Sequence, residues 1–306
     1  MSKQYSQLFG YTDGAQVLQI PVQETPIDVI NQVCYSQVRE QRSMTQLCMT
    51  ILVPRTSVPK PAIVYYPGGG FTKSERDKFI EMRFALAKAG YVVAAAEYRV
   101  VPNQFPAPII DGKAAIRYLR QHAEEFTINP QQIGVLGDSA GGYMAQMMTL
   151  AQDKEFEQGD HLNQSSTVQA GVSIYGISNL LNIGAGLNEK LQQVHQSPAV
   201  TEALLVNGAA FNTFAGASIQ SDQTKALHAS PMGHLQGEKP PLLLMHGSAD
   251  QLVSPIQSQQ LYEQLKAHQA PVEYIVVEKA AHGDDIWYQK PIIDTVCQWF
   301  RQHLAI

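Results

Sequence analysis

The chain is poor in cysteine, poor in charge and without a long apolar run. Its three cysteines, Cys34, Cys48 and Cys297, are odd in number and widely spaced, which suits neither a disulfide framework nor a paired-thiolate metal site. All three are read as reduced thiols. Charged residues make up 16% of the sequence, and no cluster of Lys and Arg accompanies the formal charge of −5. Proteins that meet nucleic-acid phosphates usually carry a basic patch or stripe, so no nucleic-acid partner is expected. No apolar run approaches the roughly 18 residues of a membrane span, and Met1 to Gly10 lacks the apolar h-region of a secretory signal. No membrane association is expected, and the cytoplasm is the expected location. Gly-x-Gly-x-x-Gly, a Gly-Lys-Ser/Thr ending and His-Glu-x-x-His are all missing, so neither nucleotide cradles nor a compact metal site is expected. There is no internal repeat or low-complexity tract.

What the chain does have is apolar content, 44% of 306 residues, enough to bury a large core. From about residue 27, short β-rich runs alternate with helix-compatible stretches, the pattern of a mostly parallel sheet joined by crossover helices. Residues 1–306 are therefore expected to form a single α/β domain. Ile27 to Val38 and Leu47 to Val53 read as an antiparallel entry pair. Ala62 to Tyr66, Tyr91 to Tyr98, Ile133 to Leu136, Val168 to Tyr175, Leu242 to Met245 and Val272 to Val277 read as further strands. Helices are expected over Arg76 to Ala89, Asp111 to Phe126, Tyr143 to Ala151, Ile256 to His268 and Ile286 to Leu304. The segment 179–237 breaks this rhythm. It is expected to be a small cap or lid over the strand ends, where open α/β sheets place their ligand crevice.

Gly137-Asp138-Ser139-Ala140-Gly141-Gly142 follows the Ile133 run and precedes a helical stretch. A nucleophile elbow needs small residues two before and two after its serine, because the tight strand-to-helix turn brings backbones into contact. Gly-x-Ser-x-Gly alone would arise by chance in a chain this long about one time in ten; the strand before and helix after strengthen it. An oxyanion needs pre-aimed backbone donors, typically the amide after the serine plus others from a loop after an earlier strand. Pro67-Gly68-Gly69-Gly70-Phe71 follows the Ala62 strand, which nominates Gly69, Gly70 and Ala140 as donors. The serine must also be deprotonated by a histidine that a carboxylate orients, in the chain order Ser, acid, His. Asp250 stands just after the Leu242 strand and His282 just after the Val272 strand. His246 is the nearest rival base but reads as structural. Asp284 and Asp285 are rival acids too close in sequence to reach round to the His282 Nδ1.

These motifs, with Glu97-Tyr98-Arg99-Val100-Val101-Pro102, Phe105-Pro106-Ala107-Pro108, Ala229-Ser230-Pro231, Gln257-Ser258 and Ala281-His282-Gly283 in the same order, resemble the hormone-sensitive-lipase-like and feruloyl-esterase-like (BD-FAE) α/β-hydrolases over roughly residues 45 to 304. The resemblance implies the α/β-hydrolase fold and carboxylic ester hydrolysis, with Ser139, Asp250 and His282 as the triad and Gly69, Gly70 and Ala140 as the oxyanion hole. That chemistry needs no cofactor or metal, and its partner is a small-molecule ester. The chain departs from the family at Pro67, where the usual motif begins with His, so a polar side chain that braces the loop is missing. Phe71, Tyr143, Tyr175 and Trp287, with Phe211 and Phe214, are candidate substrate-lining residues. An aryl formamidase or peptidase acting through the same triad, and a binding protein that has lost catalysis, are the alternatives. Oligomeric state is not legible in the sequence.

Overall fold

The computed structural model describes Tyr5 and residues 7–304, so part of the N-terminal stretch read above for a secretion signal lies outside the described residues. Eight strands form one sheet: β1 (Ile27–Arg39), β2 (Met44–Pro54), β3 (Lys60–Tyr66), β4 (Val92–Ala96), β5 (Ile128–Asp138), β6 (Ala170–Ile174), β7 (Leu242–Gly247) and β8 (Val272–Val277). Their order is β1-β2-β4-β3-β5-β6-β7-β8. The first two pairings of this order are antiparallel and the others parallel, the α/β-hydrolase arrangement expected above. β3 and β4 are buried along their whole length, which is why they read as unbroken apolar runs rather than alternating ones.

Successive side chains leave a strand on opposite faces, and the core divides accordingly. Val64 and Tyr66 pack with Ile116 and Leu119 of α2 (Ala107–Gln121) and with Met144 and Met147 of α3 (Ala140–Leu150). Ile63 and Tyr65 pack on the other face with Met82 and Leu86 of α1 (Ile80–Lys88) and with Trp299 and Phe300 near the C-terminus. The segment 179–237 carries three short helices, α4 (Glu189–Val194), α5 (Thr201–Asn207) and α6 (Gln223–His228). Beyond it, α7 (Ile256–Ala267) and α8 (Lys290–His303) complete the layers.

Several helix boundaries differ from those expected. The helix expected from Arg76 starts at Ile80, because Phe79 at its N-cap adopts a left-handed conformation with φ 53°. The one expected from Asp111 starts at Ala107, since Pro108 in its first turn has no amide to lose there. The C-terminal helix is interrupted: Asp285–Tyr288 form a separate 3₁₀ turn, and α8 starts at Lys290 with Pro291 in its first turn. Extending it backward would set the Pro291 ring against the Trp287 carbonyl. Two cysteines distant in sequence, Cys34 and Cys48, face one another in the β1–β2 register, and both thiols are free.

Candidate active site

Register brings the loops of interest together. Tyr66 pairs with Gly137, Asp138 with Ile174, Ile174 with Met245, and Gly247 with Val277. The segments following β3, β5, β6, β7 and β8 therefore emerge along one edge of the sheet. The chain runs outward from β3 to β4, then resumes at β5 on the other side of β3. Such a switch point leaves a crevice at the strand C-termini.

Ser139 sits between β5 and α3 with φ 54° and ψ −121°, a conformation L residues rarely adopt and one that costs about 1–3 kcal/mol. The surroundings enforce it. The Ser139 amide donates to the Ile174 carbonyl at 2.9 Å. A Cβ on Gly137 would overlap the Gly141 carbonyl, and one on Gly141 would overlap that of Tyr66; both positions therefore exclude any side chain. The Ser139 Oγ lies 2.8 Å from His282 Nε2, and His282 Nδ1 lies 2.7 Å from Asp250 Oδ2. A carboxylate only accepts, so the Nδ1 proton points to Asp250 and Nε2 is left to accept the serine proton.

Asp250 is buried but well supplied with donors. Its Oδ1 accepts the amides of Leu252 at 2.9 Å and Val253 at 3.0 Å. Buried His246 donates from Nε2 to the Val253 carbonyl at 3.0 Å and lies 3.4 Å from Asp250 Oδ2, while its Nδ1 accepts from Ser258 Oγ at 2.7 Å. Burial pushes the Asp250 carboxyl upward, but His246, His282 and the Val253 amide outweigh that and hold it well below the usual carboxylate range. Asp284 is occupied elsewhere, accepting the amides of Ala281 at 2.6 Å and Ile286 at 3.0 Å.

The glycine loop lies against this turn. The Gly68 amide donates to Asp138 Oδ1 at 2.9 Å, Tyr65 Oη donates to the same oxygen at 2.7 Å, and Tyr98 Oη donates to the Pro67 carbonyl at 2.6 Å. Lys78 Nζ reaches both Asp138 Oδ2 at 3.1 Å and the Gly68 carbonyl at 3.2 Å. Among the described residues no acceptor takes the amides of Gly69, Gly70 or Ala140. Ala140 opens α3, where the first amides have no partner within the helix and favour negative charge.

Of the six residues proposed above to line a substrate pocket, Phe71 and Tyr175 are almost wholly buried, and Tyr143 and Trp287 need correction. Neither has exposed surface. Tyr143 Oη donates to the Ala229 carbonyl at 2.7 Å, and Trp287 Nε1 to that of Ala281 at 2.7 Å. Phe71 packs edge-on against Tyr143, and the Tyr175 ring sits 4.7 Å from that of His282. Phe211 and Phe214 are exposed on the 179–237 segment. The supports supplied by Lys78, Tyr65 and Tyr98 were missed in the sequence. Asp138, inside the serine motif, and Tyr98, inside Glu97-Tyr98-Arg99, carry the signals that could point to them.

Among the described residues no group of three or more His, Cys, Asp or Glu is arranged to hold a metal ion, and no helix is long and apolar enough to cross a membrane.

The profile of the BD-FAE family matches residues 49–265, well over half of the chain. The curated relative named "Probable carboxylic ester hydrolase LipM" of Mycobacterium tuberculosis is 26% identical over 230 residues, covering 74% of this chain and 50% of its own length. "Esterase LipQ" of the same organism is 24% identical over 229 residues, with 74% and 51% covered. The chain thus spans about half the length of the curated relatives it matches. Among solved structures, an esterase of Thermogutta terrifontis with butyrate bound superposes with TM-score 0.70 at 25% identity, over 90% of this chain and 95% of that one. A truncated carbohydrate esterase from gut microbiota gives TM-score 0.76 at 22% identity, over 92% and 98%.

Proposed function

The chain belongs to the BD-FAE family, and on that premise we propose that it is a serine carboxylesterase acting on esters of short acyl chains or small aryl groups. One observation carries the proposal: Ser139, His282 and Asp250 stand in a continuous hydrogen-bonded line, 2.8 Å and 2.7 Å apart, with the amides of Gly69, Gly70 and Ala140 left without an acceptor among the described residues. In the proposed reaction Ser139 Oγ attacks the ester carbonyl while His282 Nε2 takes its proton. The carbonyl oxygen, now negative, is stabilised by the amides of Gly69, Gly70 and Ala140. His282 returns the proton to the departing alcohol. Water, activated by the same histidine, then releases the acid from the acyl-enzyme, and Asp250 keeps the imidazole oriented throughout.

The short-chain preference draws support from the butyrate bound in the Thermogutta esterase. The proposal also takes the segment 179–237 of the single domain as a cap. It is tied to loops at the sheet's C-terminal edge, through Phe105 N to the Leu205 carbonyl at 2.8 Å and Ser254 N to the Ile183 carbonyl at 3.1 Å. The test is hydrolysis of p-nitrophenyl acetate by purified protein and by Ser139→Ala. Turnover confined to the wild type is expected; equal rates in the two would overturn the proposal.

A further inference from the structure

Three consecutive glycines give a loop little reason to hold one shape, because glycine carries the largest conformational entropy and no side chain to pack. The loop between Tyr66 and Phe71 nevertheless has to hold two amides in one direction. Its first residue is Pro67, which offers neither a polar side chain nor an amide proton.

Resting on the reading of Ser139 as an esterase nucleophile, we infer that Lys78 is a positioning residue for the oxyanion loop: it ties the Gly68 carbonyl to the buried Asp138 carboxylate and thereby aims the Gly69 amide. The Gly68 carbonyl and the Gly69 N–H belong to one planar trans peptide and point to opposite sides of it. Whatever grips the oxygen sets the direction of the proton. Lys78 Nζ grips that oxygen at 3.2 Å. The preceding peptide is held by the Gly68 amide on Asp138 Oδ1 at 2.9 Å and by Tyr98 Oη on the Pro67 carbonyl at 2.6 Å. Lys78 is thus the third point of attachment on the N-terminal side of Gly69. Beyond it the Gly69 carbonyl accepts the amides of Thr72 at 3.0 Å and Lys73 at 3.2 Å and the Thr72 hydroxyl at 3.0 Å, which leaves the Gly68 carbonyl as the hold that Lys78 alone supplies among the described residues.

The lysine is itself anchored. Its ammonium lies 3.1 Å from Asp138 Oδ2, with the Asp138 side chain 2% exposed and that of Lys78 34%. A carboxylate so deeply buried demands a compensating charge, and Lys78 is its salt-bridge partner among the described residues. The Lys78 carbonyl accepts Arg83 Nε at 2.8 Å, and the next residue, Phe79, is packed in the core. The base of the side chain is therefore fixed as well as its tip. Asp138 adjoins Ser139 in sequence, so one carboxylate joins the serine turn to the glycine loop, and Lys78 closes the connection. If the lysine is removed, the Gly68–Gly69 peptide loses the only contact on its own oxygen and can tilt between its held neighbours, which takes the Gly69 proton off its aim.

The experiment uses the full chain and four variants, Ser139→Ala, Lys78→Met, Lys78→Arg and the double variant Lys78→Met/Asp138→Asn, which removes both charges. Steady-state kinetics on p-nitrophenyl acetate are combined with the affinity of an alkyl boronic acid, which forms a tetrahedral adduct resembling the transition state. Misplacing one donor by about 1 Å is expected to lower kcat about 10- to 100-fold in Lys78→Met, with KM within about 3-fold. Boronate affinity should fall in proportion, and Lys78→Arg should recover most of both. The double variant should keep the kcat defect while folding without a lone buried charge. Folded Lys78→Met with wild-type kcat and boronate affinity overturns the inference. So does a defect confined to KM, a double variant that regains wild-type kcat, or one that fails to fold. The parent reading fails differently: a wild type that turns over no ester, or Ser139→Ala that turns it over equally, overturns both.

Discussion

The sheet's C-terminal edge and the 179–237 segment above it are built in opposite ways. At the edge nearly every polar group has an assigned partner, and the backbone is held where it would not go alone, as at Ser139 with φ 54°. The segment above is made of short helices, among them α4 of six residues with no buried side chain. It carries two exposed phenylalanines, Phe211 and Phe214. An edge of this kind suits a reaction that must be the same for every substrate, because preorganised donors act only if they do not move. The segment is anchored in the core through Leu180, Leu205 and Ile219, and in its proposed role as a covering cap its exposed parts suit discrimination among acyl and alcohol groups, since local openings there disturb little else. The comparison predicts that changes at the edge destroy turnover whatever the substrate, while changes in the cover redistribute it.

The largest effect should come from Ser139→Ala. Loss of the proposed nucleophile is expected to lower kcat about 10⁴-fold or more, leaving only what binding and the proposed oxyanion amides supply. Thermal unfolding should be nearly unaffected. Asp250→Asn is expected to follow, with kcat down about 10³- to 10⁴-fold because a neutral amide, which can donate as well as accept, no longer holds the imidazole in the tautomer that leaves Nε2 free. This variant also has a pH signature. The Asp250 carboxyl is held below its ordinary 3.8 in the folded protein, so its contribution to stability is present above that value and is lost as the pH falls through the lower, folded-state one. The gap in stability between wild type and Asp250→Asn should therefore narrow on acidification below about pH 4, as read by urea unfolding across pH. A constant gap would remove the carboxylate's charge from the account of how the edge is held.

Gly141→Ala tests the backbone rather than the side chains. The added methyl overlaps the Tyr66 carbonyl, so either β3 or the serine turn must shift, at a cost of about 1–3 kcal/mol. Activity should fall more steeply than stability, since a shift of about 1 Å at the turn disturbs both nucleophile and donors. Retained activity in a destabilised protein would mean that the edge tolerates more motion than its packing suggests.

The contrast also explains what was legible in the sequence. The serine turn was readable because its geometry excludes side chains at Gly137 and Gly141, and because Asp250 and His282 each follow an apolar strand. The mostly parallel sheet behind them follows from the alternation of strand and helix, whereas its strand order does not. Contacts formed by long flexible side chains left no such trace. Lys78 meets Asp138 across 60 positions, and nothing in its local sequence separates it from a lysine facing water. The pairing of Cys34 with Cys48 depends on the β1–β2 register, which two irregularities in that pairing hide from any count along the chain. Tyr143 and Trp287 read as pocket residues because aromatics near a site suit both lining and core; their burial and the Ala229 and Ala281 carbonyls that take their polar atoms distinguish the two. The 179–237 segment gave little periodicity because short, half-exposed helices bury too little to impose one.

The smallest expected effect is the one that tests the cover. Phe211 and Phe214 bond to one another through their backbones, each amide on the other's carbonyl at 2.9 Å and 3.0 Å, so the turn that presents them does not depend on their rings. Phe211→Ala and Phe214→Ala should therefore leave stability within about 0.5 kcal/mol, as exposed substitutions usually do. If the turn helps to hold the acyl group, kcat/KM for p-nitrophenyl acetate should change less than about 3-fold. That for longer acyl chains should change up to about 10-fold, one or two methylenes' worth of apolar contact. A rate profile across acyl lengths for the two variants reads this directly. A uniform drop at every length would place these rings with the edge, and so break the division between the two regions; no change at any length would take them out of the substrate's reach.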